Sequence, residues 1–161
     1  AAWDEFCDTL KAAGAAMVAS GTPKDGFNQA EGYRYLARLT RAGLENFLEC
    51  SDVEAPRLCS IADGSRAAPI KLGSDNPDNL YESATIDSRR TYVVRGERGT
   101  VRYLGFGTQS GQYGAPGGLQ TVDYAQAEAL AYDDADGRFT ITLSAERGET
   151  QGNWLRLAPD V

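Results

Sequence analysis

The sequence predicts an α+β chain: two N-terminal helices, then an antiparallel β-sandwich of jelly-roll type. Three observations predict it. Apolar residues recur at helical spacing up to about residue 49. From Leu80 onward the apolar residues alternate in short runs. Between these halves lies a proline-broken connector ending in the turn sequence Asp75-Asn76-Pro77-Asp78-Asn79. The expected organisation is one domain over 1–161, with a helical part (1–50), a wrapped connector (51–79) and a sandwich part (80–157).

Trp3, Phe6, Cys7, Leu10, Ala13, Gly14 and Met17 trace the first helix, and Asp4 and Glu5 complement its dipole. Ser20-Gly21-Thr22-Pro23 stops it. Asn28 and Glu31 read as the cap of a second helix running to about Glu49. Its apolar side is Leu36, Leu39, Leu44, Phe47 and Leu48. Gly32 and Gly43 fall on that stripe, and each costs about 1 kcal/mol relative to Ala. Close approach of another element, or room for a ligand, would repay that cost. The connector from Ser51 to Ser74 contains Pro56 and Pro69. Its apolar residues, among them Val53, Leu58, Ile61, Ile70 and Leu72, favour wrapping over the core.

Asn-Pro-Asp-Asn is a turn by its own chemistry: Pro77 fixes φ, and the Asn76 side chain accepts a local backbone N–H. Asp75, Asn76, Asp78 and Asn79 are also candidate ligand-binding residues, because short polar side chains gathered on one turn can line a site. Leu80 to Ile86 alternates, with Glu82 on the side of Leu80, Ala84 and Ile86, where it is either paired within a core or reaches solvent at the strand end. Thr91 to Arg95 reads as the next strand, Gly96 to Gly99 as a hairpin loop, and Thr100 to Thr108 as its return. On that return Arg102 shares a face with Leu104 and Phe106. An Arg among apolar neighbours wants a carboxylate, and Glu82 is the candidate. Glu82, Tyr81 and Arg102 are therefore the candidate catalytic residues. Gly105 and Gly107 leave gaps that suit a sheet bend or a ligand lying on the sheet.

Gln109 to Leu119 is glycine-rich but lacks the Lys-Ser/Thr ending of a phosphate-binding loop. Thr121 to Leu130 is ambiguous between helix and strand. Asp133-Asp134-Ala135-Asp136-Gly137 lacks the glutamate and flanking helices of a calcium loop and reads as an acidic hairpin turn. Phe139, Ile141 and Leu143 alternate with Thr140, Thr142 and Ser144 as a half-buried strand. Trp154 and Leu155 plug a core or an interface.

Two motifs carry a family resemblance. Asp75-Asn76-Pro77-Asp78-Asn79-Leu80-Tyr81, followed by Ala84-Thr85-Ile86-Asp87, Tyr92 and Arg95-Gly96, is one. Asp136-Gly137-Arg138-Phe139-Thr140-Ile141 followed by Asn153-Trp154-Leu155 is the other. Together, from about Glu31 to Leu157, they resemble the bacterial family called domain of unknown function 1214. The resemblance implies a jelly-roll sandwich with helical additions. It assigns no catalytic residue. Family members commonly continue beyond Asn-Trp-Leu into further strands, so the expectation is a fragment, or a sheet completed by a partner.

Composition narrows the function. Lys plus Arg number 16 against 23 Asp plus Glu, a net charge of −7. That argues against a general nucleic-acid binder and disfavours anionic membranes. No apolar run approaches the roughly 20 residues of a spanning helix. There is no histidine. Histidine-dependent triads, histidine-ligated zinc and histidine pH switching are thereby removed. Cys7, Cys50 and Cys59 lack paired zinc spacing. They read as reduced small apolar residues, with Cys50 and Cys59 close enough in sequence for an optional disulfide.

The expected function is a small-molecule-binding domain with a cavity between helices and sandwich. The alternatives are a metal-free enzyme (lyase, isomerase or hydrolase) using carboxylate, Tyr and Arg, and an assembly subunit completed by a partner chain. No cofactor and no metal are expected. A small organic ligand and a homo-oligomer or second polypeptide are the expected partners, and a cytoplasmic location is expected.

Overall fold

A computed structural model describes residues 1–60, 70, 76, 78–112, 114–133 and 136–159. The fold is mixed α+β. The chain forms two compact units, Ala1–Thr85 and Ile86–Val161.

The first unit is built on a helical hairpin. Helix α1 spans Ala2–Ala16 and α2 spans Gly26–Leu44. Asp25 caps α2 by accepting from the Asn28 backbone N–H at 3.0 Å; the Asn28 side chain in turn donates to Asp25 Oδ2 at 2.8 Å. The expected cap at Asn28 thus moves three residues upstream, because a carboxylate accepts the first-turn N–H. Gly32 earns its place by close packing: a β-carbon there would lie 3.2 Å from Met17 Sδ at the end of α1. Gly43 has open space around it. A π-helical turn, Glu45–Glu49, ends α2, and the Cys50 N–H donates to the Glu45 carbonyl. Beyond it, β1 (Cys59–Ser60) pairs antiparallel with β2 (Glu82–Ser83). The strand expected over Leu80–Ile86 is therefore two residues long. The connector residues Ile61, Pro69 and Leu72 lie outside the described residues.

The second unit contains a three-stranded sheet in the order β3–β6–β7 and a hairpin, β4–β5. Strand β3 spans Tyr92–Glu97, β4 Gly105–Ser110, β5 Gln120–Gln126, β6 Arg138–Ser144 and β7 Asn153–Arg156. The expected hairpin across Gly96–Gly99 does not form. Instead β3 pairs antiparallel with β6, placing Gly96 opposite Phe139. Gly96 serves packing rather than a turn: a β-carbon there would sit 2.6 Å from Phe139 Cζ. The glycine-rich stretch is the β4–β5 turn, and Gly111, Gly114, Gly117 and Gly118 all have positive φ there. The ambiguous stretch after Thr121 resolves as strand through Gln126, then a 3₁₀ turn at Ala127–Ala129.

The sheet is not wholly antiparallel. Strand β7 runs parallel to β6, with Leu143 beside Leu155. Its other side meets the hairpin through side chains. Thr108 Oγ1 donates to the Arg156 carbonyl at 2.6 Å, and Asp123 Oδ2 accepts from the Arg156 N–H at 2.9 Å.

The inward alternation expected for β6 holds at Phe139 to Ile141; beyond it Leu143 is half-buried and Ser144, expected outward, is buried. Phe139 and Ile141 are buried, with Leu130 and Leu155, and Leu104, Phe106, Ala125, Tyr132 and Leu143 pack around them. The Phe139 ring meets Phe106 and Tyr132 edge-on, with centroids 5.3 and 5.9 Å away.

Gly96→Ala drives a methyl group into the Phe139 ring and is expected to destabilise the second unit by about 1–3 kcal/mol. Urea unfolding followed by aromatic circular dichroism reads this directly. An unchanged midpoint would show that the ring does not lie against the strand.

Candidate functional site

The turn at the start of β2 takes its shape from its own side chains. Asn76 Oδ1 accepts from the Asp78 N–H at 3.0 Å, and the Asn79 N–H donates to the Asn76 carbonyl at 3.1 Å. Asn79 Nδ2 then donates to the Tyr81 hydroxyl at 3.2 Å. Asn76, Asp78, Asn79 and Tyr81 are thus gathered within one turn. Asp75 and Pro77 lie outside the described residues. Asp87 and Tyr92, from the same motif, are tied into the next turn. The Asp87 N–H donates to the Tyr92 hydroxyl at 2.9 Å, and Arg89 forks onto both Asp87 oxygens. The Arg89 guanidinium holds the Asp87 carboxyl down at about 2.

Both charged candidates face solvent, which for Glu82 is the strand-end reading and for Arg102 departs from the expected apolar face. Glu82 is exposed on β2. Arg102 is exposed in the loop before β4, because the strand starts at Gly105 rather than Thr100. Neither side chain is placed where burial would demand a partner. Gly105 and Gly107 do leave room, and a tyrosine uses it. A β-carbon at Gly107 would lie 3.3 Å from Tyr124 Cδ2, and one at Gly105 would collide with the Tyr124 hydroxyl. That hydroxyl is also in short contact with the Tyr103 hydroxyl. The two glycines are therefore filled from their own hairpin.

Asn153 does the work of a peptide group. Its Oδ1 accepts from the Ala131 N–H at 2.7 Å, and its Nδ2 donates to the Ala131 and Thr140 carbonyls at 2.9 and 3.1 Å. Trp154 donates its indole N–H to Ser144 Oγ at 2.8 Å, and Leu155 enters the core. All three members of Asn-Trp-Leu are thus engaged in the fold.

Two surfaces went unforeseen. Beside Asn153 an open groove of about 340 Å³ is lined by Asp133, Arg138, Thr140, Thr142 and Gln151. The polar face of β6 signalled its floor, but not its walls, which come from distant loops. In the helical unit, Trp3 is 71% exposed, Phe27 75%, Phe47 62%, Leu48 67% and Leu58 57%. Phe47 and Leu48, expected on the apolar side of the second helix, face water. In this unit only Ala42 and Ile70 are buried apolar residues among those described.

Among the described residues, no group of three His, Cys, Asp or Glu side chains is arranged to hold a metal, and no helix is long and apolar enough to cross a membrane.

These features define a two-unit α+β protein with exposed apolar side chains on its helical unit and a groove floored by β6, the central strand of its sheet. No family model matches the chain, and no curated protein does. A solved structure does: an uncharacterised protein from Burkholderia cenocepacia, 42% identical, with a TM-score of 0.86. The match covers 98% of this chain and 42% of that one, so this chain spans less than half its neighbour's length.

Asn153→Ala removes three hydrogen bonds at once and leaves the Ala131 peptide unpaired. The expected loss is about 1–3 kcal/mol of unfolding free energy, measured by chemical denaturation. A loss within error would mean that water replaces the amide at no cost.

Proposed function

We propose that the chain is a docking module of a longer protein, whose helical unit is covered by further polypeptide. The exposed apolar surface of that unit carries the reading. Monomeric proteins rarely leave such surface uncovered, and each large apolar side chain forgoes about 1.5–3 kcal/mol when it stays in water. The occupant is further chain of the same protein, because the neighbour that matches nearly all of this fold is more than twice its length. The jelly roll belongs to the same proposal. Among the described residues β3 is an edge strand of its sheet, and strands from the covering polypeptide would extend it. So does membership of the bacterial family that the two motifs resemble.

The test is a chimera in which this chain replaces the matched region of the Burkholderia cenocepacia protein. It is expected to unfold in a single transition, with a higher midpoint for this chain than in isolation. Phe47→Glu with Leu48→Glu should abolish that gain while leaving the isolated chain's midpoint unchanged, since both side chains are exposed there. Two independent transitions would sink the proposal. Self-association of the isolated chain through Phe47 and Leu48 would assign the surface to a second copy and would overturn the choice of occupant.

The groove beside Asn153 favours a second reading, binding of a small polar organic molecule. Its mixed lining of Arg138, Asp133 and two threonines offers both donors and acceptors. Native mass spectrometry of gently purified protein is expected to show a retained organic mass, absent from a Thr140→Trp variant that fills the groove. Retention by that variant would place the ligand elsewhere. The enzyme alternative has less support, because Tyr81, Glu82 and Arg102 are all exposed.

A further inference from the structure

We infer that a disulfide between Cys50 and Cys59 clamps the apolar end of the helical unit, and that the chain acquires it in an oxidising compartment. The two cysteines are bonded, with Cα atoms 6.4 Å apart, while Cys7 is free. The bond fastens the end of the π-helical turn to β1 and closes a short loop. Arg57 Nη2 spans the same join, donating to the Glu49 carbonyl at 2.9 Å. Within the loop, Asp52 Oδ1 accepts from the Glu54 and Ala55 N–H groups. These bonds order the loop that the crosslink closes.

A unit with so little buried apolar area gains most from a covalent staple, as small secreted domains do. The staple also holds Leu58 near the helix end that carries Phe47 and Leu48. In forming it, two thiols surrender two protons and two electrons to a disulfide donor, which is reduced to two thiols. Such donors prevail outside reducing compartments. This argues for a location other than the expected cytoplasm. The clamp does not depend on the docking proposal, and its test is separate.

The denatured chain, unfolded without reductant after refolding with oxidised and reduced glutathione, is titrated with a thiol reagent. One reactive thiol is expected, rising to three after reduction. Limited proteolysis should cut between Ser51 and Leu58 much faster in reduced protein and in a Cys50→Ser, Cys59→Ser variant. Three thiols before reduction would overturn the inference. So would equal cleavage rates in the oxidised, reduced and double-serine forms. A chimera with two independent transitions alongside one thiol would remove the docking proposal and leave the clamp standing.

Discussion

The second unit depends on how the four-residue strand β7 satisfies its backbone on both sides. On one side it takes the ladder of β6. On the other it has side chains: Thr108 donates to the Arg156 carbonyl and Asp123 accepts from its N–H. At its entry Asn153 pairs with the Ala131 peptide as another strand would. A short strand left with bare polar groups against a core would lose more than its few ladder bonds return. With those groups satisfied, Leu155 reaches the core beside Ile141 and joins the sheet to the hairpin.

The first unit is held by different means. Its helices touch where side chains are small, at Gly32 against Met17 and at Gly14 against Leu36 and Tyr33. This lets the backbones approach but buries little area. Helix α1 buries no residue fully, and α2 buries only Ala42. Hydrophobic burial is the main favourable term in folding, and among the described residues of this unit it is scant, so the Cys50–Cys59 crosslink carries weight here. A crosslink and exposed apolar side chains thus occur together in the unit whose described residues bury the fewer apolar side chains.

Local pattern was legible in the sequence and long-range pairing was not. The alternation at Phe139 and Ile141 gave the buried face of β6, and the helical stripe from Trp3 to Met17 gave α1, although Trp3 itself is exposed. Both signals are periodic and need only neighbouring residues. The partner of β3 is a strand far along the chain, and nothing local distinguishes that pairing from a hairpin across Gly96–Gly99. Gly96 misled because a glycine that admits a cross-strand ring looks the same in sequence as one that makes a turn. Glu82 and Arg102 misled through strand length. Alternation counted over seven or more residues gave each an apolar face, whereas β2 is two residues long and Arg102 precedes its strand. The groove's walls were illegible because they come from separate loops and strands, although the polar face of β6 marked its floor.

The two motifs that stand out most in the sequence have structural employment. Asn76 and Asn79 shape a turn, Asp87 and Tyr92 fasten the next, and Asn153, Trp154 and Leu155 seat the last strand. A side chain whose hydrogen-bonding capacity is spent on backbone has little left to offer a ligand. Function is then better sought away from these spent side chains, at the open groove and at the apolar groups facing water. The helical unit holds the larger unspent quantity, since apolar area left in water is a standing free-energy difference that any well-fitting surface can collect.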